Sequence, residues 1–275
     1  MSTVDPRIAR TRTASRPGGV RASEDRIFSG PTAVAVLDGA SQPDPSERDG
    51  GWLAGELGRE LAARLCHDGR DLTVLLADAI RAVARRYRLV PGRAPSTTVS
   101  LVRWSAATVD VLVLGDSPVI VYLRDGTVVE VRDGRLALVA RVLPPTRTRI
   151  STADLAGWRA AHVAQARLLN HPDGYWIAEA DPAAARRAVS ASWPASEVSA
   201  ILVMTDGVSD GVDRYRIPAD WPTALAMAAR DPAVLVDAVH DAEETDPAGT
   251  RWPRGKRHDD KAVALVEFGH LRETG

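Results

Sequence analysis

The chain has 275 residues, 45% of them hydrophobic and 26% charged, so it is long enough for one large domain or two small ones. A formal net charge of −1 gives no electrostatic sign of binding to nucleic acid or to an acidic membrane. The single cysteine, Cys66, excludes an internal disulfide and a multi-cysteine zinc site. No apolar run reaches the roughly 18 residues of a membrane span. These features predict a cytoplasmic protein that binds neither nucleic acid nor membranes.

The first third of the chain begins with a polar segment and then alternates strand and helix signals. Residues 1–17 lack an apolar core, which predicts a disordered leader. AVAVL at 33–37 is typical of a buried strand. Segments 51–65 and 71–90 place leucines at helical spacing, and this predicts two amphipathic helices, the second ended by Pro91-Gly92.

In the middle of the chain the hydrophobic period changes to two. TTVSLVRW, TVDVLVLG, PVIVYLRDG and TVVEVRDG predict strands, with hairpin turns at Asp125-Gly126 and Asp133-Gly134. A helix is predicted over 154–169, a strand over GYWIAEA at 174–180, and a short helix over 184–189.

The last third contains two strand signals separated by helices and a loop. ILVM at 201–204 and AVALVEF at 262–268 predict buried strands. Helices are predicted over 222–230 and 233–244, and the polar segment 246–258 predicts a surface loop. Because hairpin-linked strands lie between helix pairs, the order favours an α+β layered fold with antiparallel sheets.

Acidic residues recur where the predicted strands begin or end. They are Glu24, Asp25, Asp38, Asp116, Asp206, Asp210, Asp259 and Asp260. Singly, an aspartate before a glycine at a strand end is a turn signal. Together, these residues could meet at one edge of a layered sheet, where mutual repulsion would require protons or cations to neutralise them. Oxygen ligands favour hard ions such as Mg²⁺ or Mn²⁺.

In this order, the motifs resemble those of the metal-dependent protein phosphatases, the type two-C serine/threonine phosphatase family, and of its bacterial-type members. The matching motifs are Glu24-Asp25, Asp38-Gly39, Gly115-Asp116-Ser117, Thr205-Asp206-Gly207 with Asp210, and Asp259-Asp260. The resemblance covers about residues 18–269 and implies a single catalytic domain there, followed by a tail of 270–275. It also implies a four-layer α-β-β-α sandwich, with two central antiparallel sheets flanked by helix pairs.

The resemblance implies a metal-dependent hydrolase that removes phosphate from phosphoserine and phosphothreonine through a water bridging two metals. It implies two or three Mn²⁺ or Mg²⁺ ions, and phosphorylated protein substrates that are targets of a serine/threonine kinase. Asp38 would bridge two metals and the Gly39 carbonyl would bind one of them. Asp206 and Asp259 would complete the other metal's ligands.

Further roles follow from the same resemblance. Glu24 would act mainly through metal-bound water, and Asp116 with Asp206 could hold a third metal. The phosphate-binding arginine of the family lies four residues before the acidic position. Here Arg21 lies three before it and is the candidate, with Arg26 as the fallback.

Departures from the family pattern leave alternatives open. Ala40 occupies the position at which many members have a histidine that could act as general acid, and Pro118 replaces a frequent arginine. One alternative is a catalytically weak pseudophosphatase that acts as a binding module. Another is a GDSL-type serine esterase, with Ser117 as nucleophile and Asp237 and His240 as its late acid–histidine pair.

Overall fold

The computed structural model describes residues 9–40, 48–66, 69–142 and 163–269, which form a four-layer sandwich. Two five-stranded antiparallel sheets face each other, and helices cover their outer faces. Separate hydrophobic clusters fill the space between the sheets and the two spaces between a sheet and its helices. The predicted α+β, α-β-β-α architecture is confirmed.

The first sheet, sheet I, has the strand order β1-β10-β9-β6-β7. Its strands are β1 (Ala9–Arg16), β6 (Val119–Leu123), β7 (Val128–Val131), β9 (Val198–Met204) and β10 (Lys261–Phe268). Side chains of β9 alternate between two cores, because successive residues of a strand point to opposite faces. Ile201 and Val203 face the other sheet, whereas Leu202 and Met204 face the helices.

The second sheet, sheet II, has the strand order β2-β3-β4-β5-β8. Its strands are β2 (Arg26–Ser29), β3 (Ala33–Leu37), β4 (Val99–Trp104), β5 (Thr108–Leu114) and β8 (Val189–Pro194). Both faces of β3 are covered. Val34 and Val36 pack between the sheets, and Ala35 and Leu37 pack against helices. A strand buried on both faces must be apolar throughout, which explains the sequence AVAVL.

Helices form the two outer layers. They are α1 (Gly50–Leu65), α2 (Leu72–Tyr87), α3 (Arg135–Val142), α4 (Asp206–Asp210), α5 (Trp221–Arg230) and α6 (Pro232–Glu244). The pair α1 and α2 packs on sheet II, and α5 and α6 pack on sheet I. Aspartates cap four of these helices by accepting a backbone N–H in the first turn. None of the helices among the described residues combines the length and apolarity needed to cross a membrane.

Part of the predicted disordered leader is ordered. Residues 9–16 form β1, which pairs with β10 along its whole length, from Ala9 opposite Phe268 to Arg16 opposite Lys261. Arginine and threonine alternate in β1 because it is an edge strand with a partly exposed face. Because most residues of β1 are polar, apolar periodicity does not reveal this strand. Residues 1–8 and the predicted tail 270–275 lie outside the described residues.

Several local predictions differ from the structure. The Asp133-Gly134 signal begins α3 rather than a hairpin, because the Asp133 carboxylate accepts the backbone N–H of Arg135 at 3.1 Å. The predicted strand over 174–180 makes only isolated bridges. The predicted helix over 184–189 is a 3₁₀ turn over Pro182–Arg187. Most of the predicted helix over 154–169 lies outside the described residues.

Candidate metal centre

The predicted acidic residues of sheet II meet at one edge of the sandwich. Arg26 pairs with Leu37 in the β2–β3 ladder. Asp25, which precedes β2, and Asp38, which follows β3, therefore lie at the same end of the two strands. The backbone around Asp38 is fixed from β4. The Thr98 hydroxyl accepts the Asp38 N–H at 3.1 Å, and the Asp38 carbonyl accepts the Thr97 hydroxyl at 2.8 Å.

Sheet I brings its acidic residues to the same edge. The Thr205 N–H donates to the Ala262 carbonyl at 3.0 Å, which continues the β9–β10 ladder beyond its last strand pair. Asp206 therefore follows β9 where Asp259 precedes β10. Asp206 and Asp38 come from different sheets, and the charge of Asp206 acts on the Asp38 carboxyl group at this point.

Asp25 completes a group that we call the acidic cluster, made of Asp25, Asp38, Asp206 and Asp259. The Thr205 hydroxyl donates to Asp25 Oδ2 at 2.8 Å. The other oxygen, Asp25 Oδ1, is buried and has no hydrogen-bond partner among the described residues. A buried carboxylate oxygen without a donor is costly, and a bound cation would satisfy it.

The carboxyl groups of the cluster make one another harder to ionise. Burial, followed by the charges of Asp259, Asp260 and Asp206, raises the pKa of Asp25 to about 8 against the hydrogen bond from Thr205. Burial and the neighbouring acids also raise the pKa of Asp38 well above its usual value. Burial and Asp259 raise the pKa of Asp206. The folded protein thus holds acidic groups in a place that favours either protons or cations.

Asp259 differs from the other members because it has cationic neighbours. Its Oδ1 accepts from Lys256 Nζ at 2.8 Å and from the Asp260 N–H at 2.9 Å. Burial opposes its ionisation, but the charges of Lys256 and Lys261 outweigh burial and hold the pKa of Asp259 below its usual value. Asp259 is therefore ionised while its neighbours resist ionisation.

A buried polar network supports Asp259 from behind. Lys261 Nζ donates to the Asp259 carbonyl at 2.9 Å and to Glu243 Oε2 on α6 at 2.7 Å. His258 Nδ1 lies 3.0 Å from the same Glu243 oxygen. Residues on both sides of Asp259 are thus tied to one buried carboxylate. The loop predicted as a surface segment over 246–258 is anchored in the same way by the buried ion pair of Arg254 and Asp246.

Asp116 and Asp210 lie on the flank of the cluster. Burial and the charge of Asp206 raise the pKa of Asp116 to about 7 and, despite its ion pair with Arg214, that of Asp210 to about 7. A cleft of about 210 Å³ lies beside them, lined by residues that include Asp206, Asp210, Arg214, Lys256 and Asp259. Asp116 follows β5 after Gly115, whose φ of +92° a residue with a side chain rarely adopts.

Gly39 permits the close approach of α1 to the site. A Cβ at Gly39 would lie 2.4 Å from the backbone of Gly50 and Gly51 at the start of that helix. The next residue, Ala40, donates its N–H to the Ser96 carbonyl at 3.0 Å. The Asp38-Gly39 segment is therefore positioned by the helix on one side and by the start of β4 on the other.

The loop that carries Arg21 is held by Asp260. One carboxylate oxygen of Asp260 accepts the Gly18 N–H and the other accepts the Glu24 N–H, both at 2.7 Å. Arg21 is exposed between these two points. The Arg26 guanidinium instead donates to the carbonyls of its own loop, including that of Asp25 at 2.7 Å.

The donor set is suitable for a hard divalent cation. Side-chain oxygens dominate it, and Asp25 Oδ1 is buried without a donor from any residue that the structure describes. Mg²⁺ and Mn²⁺ prefer such oxygen ligands. Asp38, Asp206, Asp259 and Asp25 could hold these ions, with Asp116 and Asp210 at the flank.

Comparison with known proteins agrees with this geometry. Residues 24–239 match the family model described as protein phosphatase 2C. The chain belongs to the protein phosphatase 2C family. By sequence it matches no curated protein. The matched span includes Asp38, Asp116 and Asp206 but stops before Asp259, which the structure places beside them.

Solved bacterial phosphatases of this family share the fold. The catalytic domain of the serine/threonine protein phosphatase PstP in complex with two manganese ions is 17% identical, with a TM-score of 0.58 over 94% of this chain and 97% of that one. MsPP from Mycobacterium smegmatis, solved with cacodylate, is 18% identical, with a TM-score of 0.56 over 98% and 100%. Stp1 from Staphylococcus aureus is 13% identical, with a TM-score of 0.58 over 98% of each chain.

The structure gives no support to the esterase alternative. Ser117 is fully buried, and its hydroxyl lies 2.6 Å from that of Thr98 rather than beside a histidine. The proposed acid–histidine partner His240 stacks on His258 at a ring-centroid distance of 4.0 Å. The Gly-Asp-Ser motif therefore serves the phosphatase 2C fold, with Ser117 as a packing residue.

Two residues near the centre received no role from the sequence alone. Asp25 belongs to the Glu24-Asp25 motif but was given no role of its own, although strand register points to it, because it directly precedes the residue paired with Leu37. Lys256 was assigned to a surface loop. Its signal was compositional, since the chain contains only two lysines, Lys256 and Lys261, and both contact Asp259.

Proposed function

We propose that this chain hydrolyses phosphoserine and phosphothreonine in protein substrates, with two or three bound Mn²⁺ or Mg²⁺ ions. The observation that carries the proposal is the convergence of Asp25, Asp38, Asp206 and Asp259 around a buried carboxylate oxygen that has no donor in the part of the chain that the structure describes. Membership of the protein phosphatase 2C family and the manganese ions named for the PstP structure support it.

The residues of the cluster would act as ligands and as a rigid frame. Asp38, the Gly39 carbonyl, Asp206 and Asp259 would hold two ions, and the raised pKa values of Asp38 and Asp206 mark positions that gain most from a cation. Bound cations would neutralise charge on the phosphate and activate the attacking water. Asp25, oriented by the Thr205 hydroxyl, would add a further oxygen.

Other acidic residues would have peripheral roles. Asp116 would hold a third ion together with Asp206, because the charge of Asp206 raises the pKa of Asp116 and a cation between them would relieve that repulsion. Glu24 would contact a metal through water. Its backbone is fixed by Asp260 next to the cluster, which favours that position.

Arg21 is the candidate for binding the substrate phosphate. It is exposed on a loop held at both ends by Asp260, whereas the Arg26 guanidinium is engaged with backbone carbonyls. An exposed guanidinium can present its donors to phosphate oxygens without breaking an internal bond. Position 40 is an alanine, so the departing serine or threonine oxygen would take its proton from water.

The partners would be phosphorylated proteins in the cytoplasm that are targets of serine/threonine kinases. The structural neighbours PstP, MsPP and Stp1 are serine/threonine phosphatases, which supports this substrate class. The net charge of −1 gives no basis for binding nucleic acid or a membrane surface.

Phosphate release from a phosphothreonine peptide tests the proposal. We expect hydrolysis with millimolar Mn²⁺ and complete loss with excess EDTA, because the attacking water would be activated by the metals. Hydrolysis that is unchanged by EDTA would contradict a metal mechanism. Tight Mn²⁺ binding without hydrolysis of any phosphoester would indicate a pseudophosphatase instead.

A further inference from the structure

We propose that Lys256 is a resident cation of the metal centre, which neutralises the metal-free cluster and lowers its affinity for divalent metals. This inference rests on the proposed function, because it concerns the same site. Lys256 Nζ lies 2.8 Å from Asp259 Oδ1. Its ammonium also interacts electrostatically with Asp38, Asp260 and Asp206.

The Lys256 side chain is placed to supply positive charge to the cluster rather than to pack in a hydrophobic core. Its side chain is 36% exposed and lines the cleft beside Asp206 and Asp259. Several carboxylates face it from two sheets, since Asp38 follows β3, Asp206 follows β9 and Asp259 precedes β10. A cation at this point lowers the repulsion among them when metals are absent and repels metals when they arrive.

The choice of lysine at this position is informative. The chain has 35 basic residues, and lysine is used only at 256 and 261, the two positions that contact Asp259. An ammonium is a point charge, and here it contacts one carboxylate oxygen, Oδ1. The planar fork of an arginine tends to engage both oxygens of a carboxylate at once. Lysine therefore supplies charge and leaves Asp259 Oδ2 for a metal.

Isothermal titration with Mn²⁺ of the full chain tests the proposal, with Lys256→Met as the main variant and Lys256→Gln as a second neutral one. We expect both to bind Mn²⁺ more tightly than the wild type by roughly tenfold or more, because a like charge a few ångströms from the metal has been removed. Lys256→Arg keeps the charge and should not tighten binding. Tighter binding by Lys256→Arg as well would overturn the proposal.

Arg257→Met is the matched control. Arg257 is the next residue, is 57% exposed and pairs with Glu244 on α6 at 2.7 Å. This variant removes one positive charge from the same loop, at a side chain that pairs with Glu244 rather than with Asp259. We expect its Mn²⁺ affinity to stay within about twofold of the wild type, since exposed charges further from a site are screened by salt. An equal gain of affinity in this control would show a general charge effect and would overturn the proposal.

Thermal unfolding separates a resident cation from a merely structural lysine. We expect Lys256→Met to melt below the wild type in EDTA, where the cluster loses its cation, and to regain that difference at saturating Mn²⁺. A structural role would lower the melting temperature equally in both conditions, and that result would overturn the proposal. If neither protein binds Mn²⁺, the proposed function fails together with this inference. If the wild type binds Mn²⁺ and Lys256→Met binds no more tightly, only this inference fails.

Discussion

Strand β9 lies in a hydrophobic core and leads directly into the acidic cluster, and these two regions differ in chemistry. Ile201 and Val203 lie in the hydrophobic core between the sheets. Two residues after the strand ends, Asp206 lies in the acidic cluster, where burial and like charge raise its pKa. The first region stabilises the fold through buried apolar area, whereas the second opposes folding until a cation or a proton is bound. Apolar burial between the sheets thus offsets the free-energy cost of holding the aspartates of the cluster together.

Replacing Asp38 should produce the largest effect and reveal this opposition. Asp38→Asn removes a carboxylate that would hold the metals, so we expect phosphopeptide hydrolysis to fall on the order of a thousandfold or more. In EDTA the same variant should melt above the wild type, because one source of repulsion is gone. Parallel activity and melting measurements check both signs, and a variant that is inactive and also less stable in EDTA would contradict the comparison.

A substitution in the core between the sheets should have the reverse signature. Ile201→Ala removes a fully buried side chain, and we expect it to lower the free energy of unfolding by about 2–5 kcal/mol. Mn²⁺ affinity should be unchanged, because Ile201 belongs to the hydrophobic cluster between the sheets and not to the acidic cluster. Urea unfolding and metal titration measure the two quantities, and a large loss of Mn²⁺ affinity would show that core and cluster are not separable.

Neighbouring acids on one loop sharpen the comparison further. Asp25→Asn should weaken Mn²⁺ binding by roughly 10–100-fold, the range found for groups that support metal ligands. Glu24→Gln is the matched variant one residue away and should weaken it less, because Glu24 is only half-buried. The ratio of the two dissociation constants is the measurement. A larger loss for Glu24→Gln would contradict the placement of Asp25 in the cluster.

A smaller effect is expected from pH. The pKa of Asp25 is raised to about 8, and those of Asp116 and Asp210 to about 7, chiefly by burial. In the unfolded chain these groups titrate near an ordinary value of about 4, so their contribution to stability is complete below about pH 4 and is lost as the pH rises through 7 and 8. In EDTA the protein should therefore melt higher at about pH 6 than at about pH 8.

Stabilisation by bound metal should depend on pH in the opposite direction. The carboxylates must lose their protons to bind Mn²⁺, so the rise in melting temperature caused by Mn²⁺ should be larger at the higher pH. Asp259, whose pKa is lowered by Lys256 and Lys261 against burial, contributes only at more acidic pH. A metal-free melting temperature that increases from pH 6 to pH 8 would contradict the raised pKa values.

Much of the fold could be predicted from the sequence because its strands are apolar on one or both faces. AVAVL and ILVM are predicted as strands for that reason, and the helix pair at 51–65 and 71–90 is predicted from leucine spacing. The edge strands β1 and β8 were missed, since their exposed faces carry arginine, serine and other polar residues. Apolar periodicity reports burial, and an edge strand has little of it.

The acidic motifs of the site could be found along the sequence, but the roles of adjacent residues could not be separated. Glu24 and Asp25 are adjacent acidic residues that the sequence alone does not distinguish. Strand register and the hydrogen bond from Thr205 bring Asp25 into the cluster. Asp260 acts through a hydrogen bond from Gly18, which is distant in the sequence. Lys256 acts through a hydrogen bond to Asp259 from a loop that has no hydrophobic periodicity. Such contacts depend on tertiary packing, which local patterns do not encode.

Calorimetric titration of the purified chain with Mn²⁺ tests the central claim most directly, because the claim is that cations hold these distant aspartates together. We predict saturable binding of at least two ions by the wild type and loss of at least one of them in Asp38→Asn. A wild-type protein that gives no binding heat and no rise in melting temperature at millimolar Mn²⁺ would contradict the account.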